Sequence, residues 1–179
     1  VSQTWIQTYS GIKFDILDPQ PDMICIEDIA HATSQANRFT GHCRFPYPVS
    51  QHSRLGSYIV PDEFALEFLM HDASEGYIGD MNRPMKHFSI AGDEYRKVET
   101  KVQSVICFKY GLPQIGSPIV KKIDDMMLYA EKAQLMPTPD TFYTWNDGDK
   151  TPADVIIRET SFYENKQLFL NRFFQLYTK

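Results

Sequence analysis

Hydrophobic and polar positions change their period once along the chain. Over Thr4 to Tyr9 and Ile12 to Leu17 they alternate on either side of Ser10-Gly11. That period of two predicts a short β-hairpin. Asp18-Pro19-Gln20-Pro21 ends it, so residues 1–22 form a hairpin extension. Helical patterns dominate from there. Helices are predicted over Ile26–Asn37, Pro48–Val60, Asp62–Glu75, Gly92–Tyr110, Ser117–Met136 and Thr160–Leu176. Two stretches stay irregular: Arg38–Tyr47, with Gly41 and Pro46, and the surface loop Pro137–Pro152, rich in Pro, Asp and Thr. Asn146-Asp147-Gly148-Asp149 in the second lacks the spacing and terminal glutamate of an EF-hand. The fold class expected is mainly α with a short N-terminal β-hairpin.

One predicted helix breaks the usual division of apolar and polar faces. Asp62, a candidate N-cap, is followed by Phe64, Ala65, Leu66, Phe68, Leu69 and Met70, apolar nearly all round, as in a helix buried in the domain centre. His71-Asp72 continues this run, with Gly76 as the predicted stop. Two ionisable groups on a buried helix are costly unless compensated. A divalent metal is the natural compensation, because imidazole nitrogen and carboxylate oxygen are its usual ligands. Glu75 lies at i+4 from His71 and i+3 from Asp72, so it returns to the same face and could handle the protons of a water. His52 shares an inward stripe with Val49, Leu55 and Ile59 and is a third candidate ligand. Asp124-Asp125 supplies the fourth; one carboxylate points outward with Lys121 and Lys122, and spacing barely separates the two.

Composition narrows the class. At 179 residues the chain has the length of one domain, and 42% hydrophobic residues suit an ordinary core. A net charge of −5 argues against a broad basic surface for a nucleic-acid duplex. No apolar run has transmembrane length, and Val1–Gln7 lacks the pattern of a signal peptide, so no membrane association and a cytoplasmic location are expected. Cys25, Cys43 and Cys107 are odd in number and contain no C-x-x-C, so they read as reduced thiols, with Cys25 and Cys107 in the core. A nucleophilic Cys43 has no support in its surroundings. His31 reads as a core residue or a support to the ligands, His42 as a loop residue near the site, and His87 as surface.

His52, then His71-Asp72, then Asp124 follow an H…HD…D order, and the chain here resembles the HD-domain phosphohydrolases. The resemblance is nearest to the small bacterial HD-domain 5′-deoxynucleotidases and the phage dATP triphosphohydrolases. Asn37-Arg38-Phe39, Val49–Ser53, His71–Glu75 with Gly79-Asp80 and Pro84–Lys86, and Val120–Asp124 with Tyr129 carry it. The resemblance implies a single HD-type helical bundle over residues 1–179. It implies that His52, His71, Asp72 and Asp124 hold one divalent transition metal (zinc, cobalt, manganese or iron). Glu75 matches the carboxylate that positions or deprotonates the attacking water, and Asp80 one that meets the sugar or that water. Arg38 matches a phosphate clamp, and Lys86 a cation near the phosphates. Phe39 stands where the family usually has tryptophan, so it can wall off a base or sugar but cannot donate an indole hydrogen bond.

The implied activity is hydrolysis of a deoxyribonucleotide, with a deoxynucleoside 5′-monophosphate favoured over a triphosphate such as dATP. Extra cations favour the triphosphate, and Arg83, Lys86, Lys121 and Lys122 are candidates. The competing class is a non-catalytic nucleotide-binding module. A homo-oligomer follows from the resemblance alone.

Overall fold

The computed structural model describes residues 3–139 and 151–178. The hairpin is present but shorter than its sequence pattern. Strand β1 (Trp5–Gln7) pairs antiparallel with β2 (Lys13–Asp15), with Ile6 opposite Phe14. Phe14 is fully buried and stacks on Tyr77 at 4.0 Å, which anchors the hairpin to the helices.

The rest is helical: α1 (Ile26–Thr33), α2 (Val49–Gly56), α3 (Ala65–Met70), α4 (Glu75–Ile78), α5 (Arg83–Phe88), α6 (Ile90–Tyr110), α7 (Pro118–Leu135) and α8 (Phe162–Leu176). The chain is mainly α. Helix α1 packs on α4 and α8, and α2 packs on α3, α7 and α8. The larger core gathers Ile29, Leu69, Met70, Ile106, Phe169 and Phe173; a second core holds Phe68, Val120, Ile123 and Met127. Helix α3 contributes to both cores through opposite faces, which is why its sequence is apolar nearly all round.

The structure corrects several predicted boundaries. Helices α1 and α2 stop at Thr33 and Gly56, well short of Asn37 and Val60. Asp62 does not cap a helix: Asp62–Phe64 is a 3-10 turn entered from Pro61, with no side-chain cap. The predicted helix Asp62–Glu75 is broken after Met70, and Gly76 lies inside α4 rather than ending it. Gly79, at φ 78°, makes the stop. Helix α6 begins at Ile90, because the Ser89 hydroxyl accepts from Gly92 N at 3.0 Å. Helix α5 was not predicted, although Asn82, whose side chain accepts from Met85 N, and Pro84 form a readable start signal. Residues 140–150, and with them Asn146–Asp149, lie outside the described residues.

Gly56 shows how closely α2 and α3 approach. A Cβ there would lie 2.0 Å from the Phe68 ring, which is fully buried. Gly56→Ala is therefore expected to lower stability by about 1–3 kcal/mol through overpacking, outweighing alanine's better helix propensity. Denaturant midpoints check this; a midpoint at or above wild type contradicts the close packing of these helices.

Candidate metal centre

The candidate ligand residues come from three separate helical segments. Helix α2 presents fully buried His52. His71 and Asp72 follow α3 in a tight turn, and Asp124 sits in the middle of α7. That turn is 3-10-like: Ala73 N bonds Met70 O at 3.2 Å, and Glu75 N bonds Asp72 O at 3.1 Å. With three residues per turn, Asp72 and Glu75 eclipse rather than stagger. So Glu75 reaches the site by a route other than the continuous α-helix that its spacing suggested.

The ligand atoms converge. The two Nε2 atoms of His52 and His71 are 3.4 Å apart. Asp72 Oδ2 lies 3.2 Å from His71 Nε2 and 3.9 Å from His52 Nε2. Asp124 Oδ1 lies 3.4 Å from His52 Nε2 and 3.9 Å from His71 Nε2. His52, His71 and Asp72 form a group able to hold a metal ion. Asp124, not Asp125, approaches the histidines; Asp125 meets Lys121 at 2.9 Å.

Hydrogen bonds set which nitrogen of each ring faces inward. His71 Nδ1 lies 2.6 Å from the Phe68 carbonyl oxygen, which can only accept, so Nδ1 carries a proton. His52 Nδ1 lies 2.5 Å from Glu131 Oε1. With each Nδ1 donating, Nε2 of each ring faces the other ring and two carboxylates, and offers a lone pair to a cation once its proton is displaced. The donor atoms of His52, His71 and Asp72 are close enough together for one ion, and Asp124 approaches that group from the histidine side.

Glu131 escaped the sequence reading and is central here. It is fully buried and accepts from Tyr47 Oη at 2.9 Å, His52 Nδ1 and Arg38 Nε at 3.2 Å. Burial opposes its charge, but Arg38, His52 and Tyr47 hold its carboxyl below the ordinary range. The signal available was a glutamate on the apolar stripe of Ile123, Met127 and Ala130, two turns beyond Asp124. Two further supports carry no such signal. The Gln103 amide clamps the ligand turn, accepting from Ser74 N at 3.1 Å and donating to Met70 O at 2.8 Å. The Glu67 carboxylate accepts from Ser117 N and Oγ at 2.6 and 2.7 Å, joining α3 to the start of α7.

Arg38 lies beside the ligands as an ion-pair partner. Its NH1 is 3.4 Å from Asp72 Oδ2 and its NH2 3.2 Å from Glu131 Oε2. Burial disfavours its charge, and Glu131, Asp72 and Asp124 more than restore it. A guanidinium has donors enough to meet a phosphate oxygen as well. The residues after it are strained: Phe39 and Thr40 both lie in the left-handed region, at φ 56° and 53°. That conformation costs about 1–2 kcal/mol per residue without glycine.

Glu75 is 6% exposed, and its Oε2 has no hydrogen-bond partner among the described residues. Burial pushes its carboxyl well above the ordinary range, and Asp72 and Asp80 push it further. Asp80 is raised as well, by burial first, with Asp72 adding and Arg38 opposing. Lys86 is drawn to Glu99 at 2.6 Å, and with His71 and Asp72 it lines a polar groove.

The remaining candidates fall outside the centre. His31 is half-buried and is neither core nor a support to the ligands: it stacks on Tyr9 at 3.7 Å and meets Phe162 edge-on. His42 and His87 are exposed. Cys107 is buried, but Cys25 is only half-buried, because its thiol faces Glu27 at 3.0 Å near the surface. Burial and the charge of Glu131 push the Cys43 thiol up to about 11, which rules it out as a thiolate nucleophile at neutral pH.

The centre makes stability depend on pH with a definite sign. Burial opposes the His71 charge, but Asp72, Asp124 and the Phe68 carbonyl outweigh it and raise the pKa from 6.5 to about 9. A raised folded pKa gives stability that is fully present below 6.5 and lost as pH rises to about 9. Metal-free protein is therefore expected to lose thermal stability across that window. Divalent metal, which competes with those protons, is expected to bind more tightly as pH rises through it. Thermal melts with chelator and with metal across the window check both signs.

Two relatives share most of this chain. It is 42% identical over 132 residues to YfdR of Escherichia coli K12, covering 74% of this chain and 72% of that protein. It is 30% identical over 131 residues to RCAP_rcc00048 of Rhodobacter capsulatus, covering 68% and 66%. Both relatives carry the description uncharacterized protein. The chain belongs to the YfdR family. No protein-family profile matches it. No helix among the described residues is long and apolar enough to cross a membrane.

Proposed function

We propose that the chain is a metal-dependent phosphohydrolase of deoxyribonucleotides, of the HD-domain kind its motifs resemble, releasing phosphate from deoxynucleoside 5′-monophosphates. The observation that carries this reading is the convergence of His52 and His71 Nε2 with carboxylate oxygens of Asp72 and Asp124, beside the unpartnered Glu75 Oε2. A divalent transition metal held by those four residues (zinc, cobalt, manganese or iron) would polarise a phosphoryl oxygen and acidify a water. Glu75 takes the proton of the attacking water. Arg38 offsets charge on the phosphate, and Phe39, whose ring lies 5.8 Å from the Arg38 guanidinium, walls off the sugar. Asp80 meets the sugar or the water.

The monophosphate is preferred because two of the cations that would serve a longer phosphate chain are already engaged. Lys86 pairs with Glu99, and Lys121 with Asp124 and Asp125. A homo-oligomer completes the reading by resemblance alone.

The test is a screen of deoxy- and ribonucleoside mono- and triphosphates with each metal. Phosphate from deoxynucleoside monophosphates is expected. Release of triphosphate from dATP would transfer the reading to the triphosphohydrolase. Nucleotide binding without turnover under every metal would transfer it to a non-catalytic module.

A further inference from the structure

Beside the metal centre lie two cavities of different character. One, of about 290 Å³, opens on the candidate ligands His71 and Asp72 and is otherwise lined by the Lys86–Glu99 ion pair and polar side chains such as Ser74 and Gln103. The other, of about 340 Å³, is lined chiefly by Ile78, Met81, Met85 and Tyr95, with Thr40 and Asp80. Its size falls at the lower end of small-molecule sites, and an apolar lining with few polar groups is their usual make-up.

We propose that this second cavity receives the nucleobase of the substrate, with Tyr95 as its aromatic wall and Thr40 and Asp80 as its polar lining. The inference rests on the hydrolase reading and adds to it where the base goes. Three observations carry it. The Tyr95 hydroxyl donates to Gly79 O at 2.5 Å, so the ring is held in place before any ligand arrives. Met81 and Met85 supply adaptable apolar surface that fits different bases without selecting one. Thr40 is the second of the two non-glycine residues in the left-handed region, and Phe39-Thr40 joins the cavity directly to Arg38 beside Asp72. Backbone strain of this kind collects at ligand sites. A phosphate at Arg38 and a base at Tyr95 are thus linked by one short turn. The polar groove lacks an aromatic face and carries an ion pair that a flat base would have to desolvate. The base accordingly rests on Tyr95, and Phe39 is left to the sugar.

The experiment compares a deoxynucleoside 5′-monophosphate with deoxyribose 5-phosphate, which has the same sugar and phosphate and no base. Tyr95→Leu removes the ring, whereas Tyr95→Phe removes only the hydroxyl bond to Gly79. Tyr95→Leu is expected to lower kcat/KM for the nucleotide about 10-fold more than for deoxyribose 5-phosphate, the scale of one lost base–aromatic stack. Tyr95→Phe is expected to treat both substrates alike, and Met85→Ala, at a half-exposed position, to follow Tyr95→Leu more weakly. Equal losses on both substrates in Tyr95→Leu would overturn the assignment. Binding of 2′-deoxyadenosine to the full chain, measured by calorimetry, separates this inference from the hydrolase reading. The cavity predicts that Tyr95→Leu weakens it about 10-fold whether or not any ester is hydrolysed. Deoxyadenosine binding untouched by both Tyr95→Leu and Met85→Ala would refute the cavity even if hydrolysis is confirmed.

Discussion

His71→Ala is expected to abolish both high-affinity divalent metal binding and nucleotide hydrolysis. His71 Nε2 is the atom nearest to Asp72 Oδ2, and it faces His52 Nε2 across 3.4 Å. Its removal leaves one imidazole and two carboxylates, too few nitrogen donors for tight transition-metal binding at neutral pH. The fold should survive, because the His71 ring is partly exposed and its core contacts are with the Phe68 carbonyl and ring and the His52 ring. Calorimetric metal titration of the purified variant, with circular dichroism as the control for folding, reads the effect. Wild-type metal affinity in folded His71→Ala protein would remove this residue from the ligand set.

Glu75→Gln is expected to keep metal and substrate binding while turnover falls by about 100-fold or more, the scale of lost acid–base assistance. The substitution preserves volume in a site that is 6% exposed, so it should not create a cavity. It also removes a carboxyl that burial, Asp72 and Asp80 make costly to ionise, so the variant is expected to be at least as stable as wild type. A slower and equally or more stable protein is what a buried base under electrostatic tension predicts. A variant with unchanged turnover would exclude Glu75 from proton transfer. One that loses its metal would make Glu75 a ligand instead.

The candidate ligands were legible because their chemistry conflicts with their surroundings. His52 and His71-Asp72 interrupt apolar patterns, and only convergence in space resolves that conflict. Asp124 was legible only as one of a pair; the structure separates it from Asp125 through the rotation of α7, which turns Asp124 towards His52. The apolar-all-round run was correctly read as buried, yet its break after Met70 was not visible. A switch from i+4 to i+3 bonding leaves the apolar pattern almost unchanged over one turn.

Glu131 and Gln103 act through contacts 79 and 33 residues away in sequence. A single chain carries no local trace of such partners. Arg38 matched a phosphate clamp by resemblance. It is largely buried and ion-paired with Glu131 and Asp72, so the phosphate role falls to donors that those carboxylates do not occupy.

The most direct test of the metal centre is X-ray absorption fine structure on the full chain loaded with zinc. The account predicts a shell of nitrogen and oxygen at about 2.0–2.1 Å with the multiple scattering of two imidazoles. The shell should contain no sulfur at about 2.3 Å. A sulfur shell, or an all-oxygen shell without imidazole scattering, would contradict it.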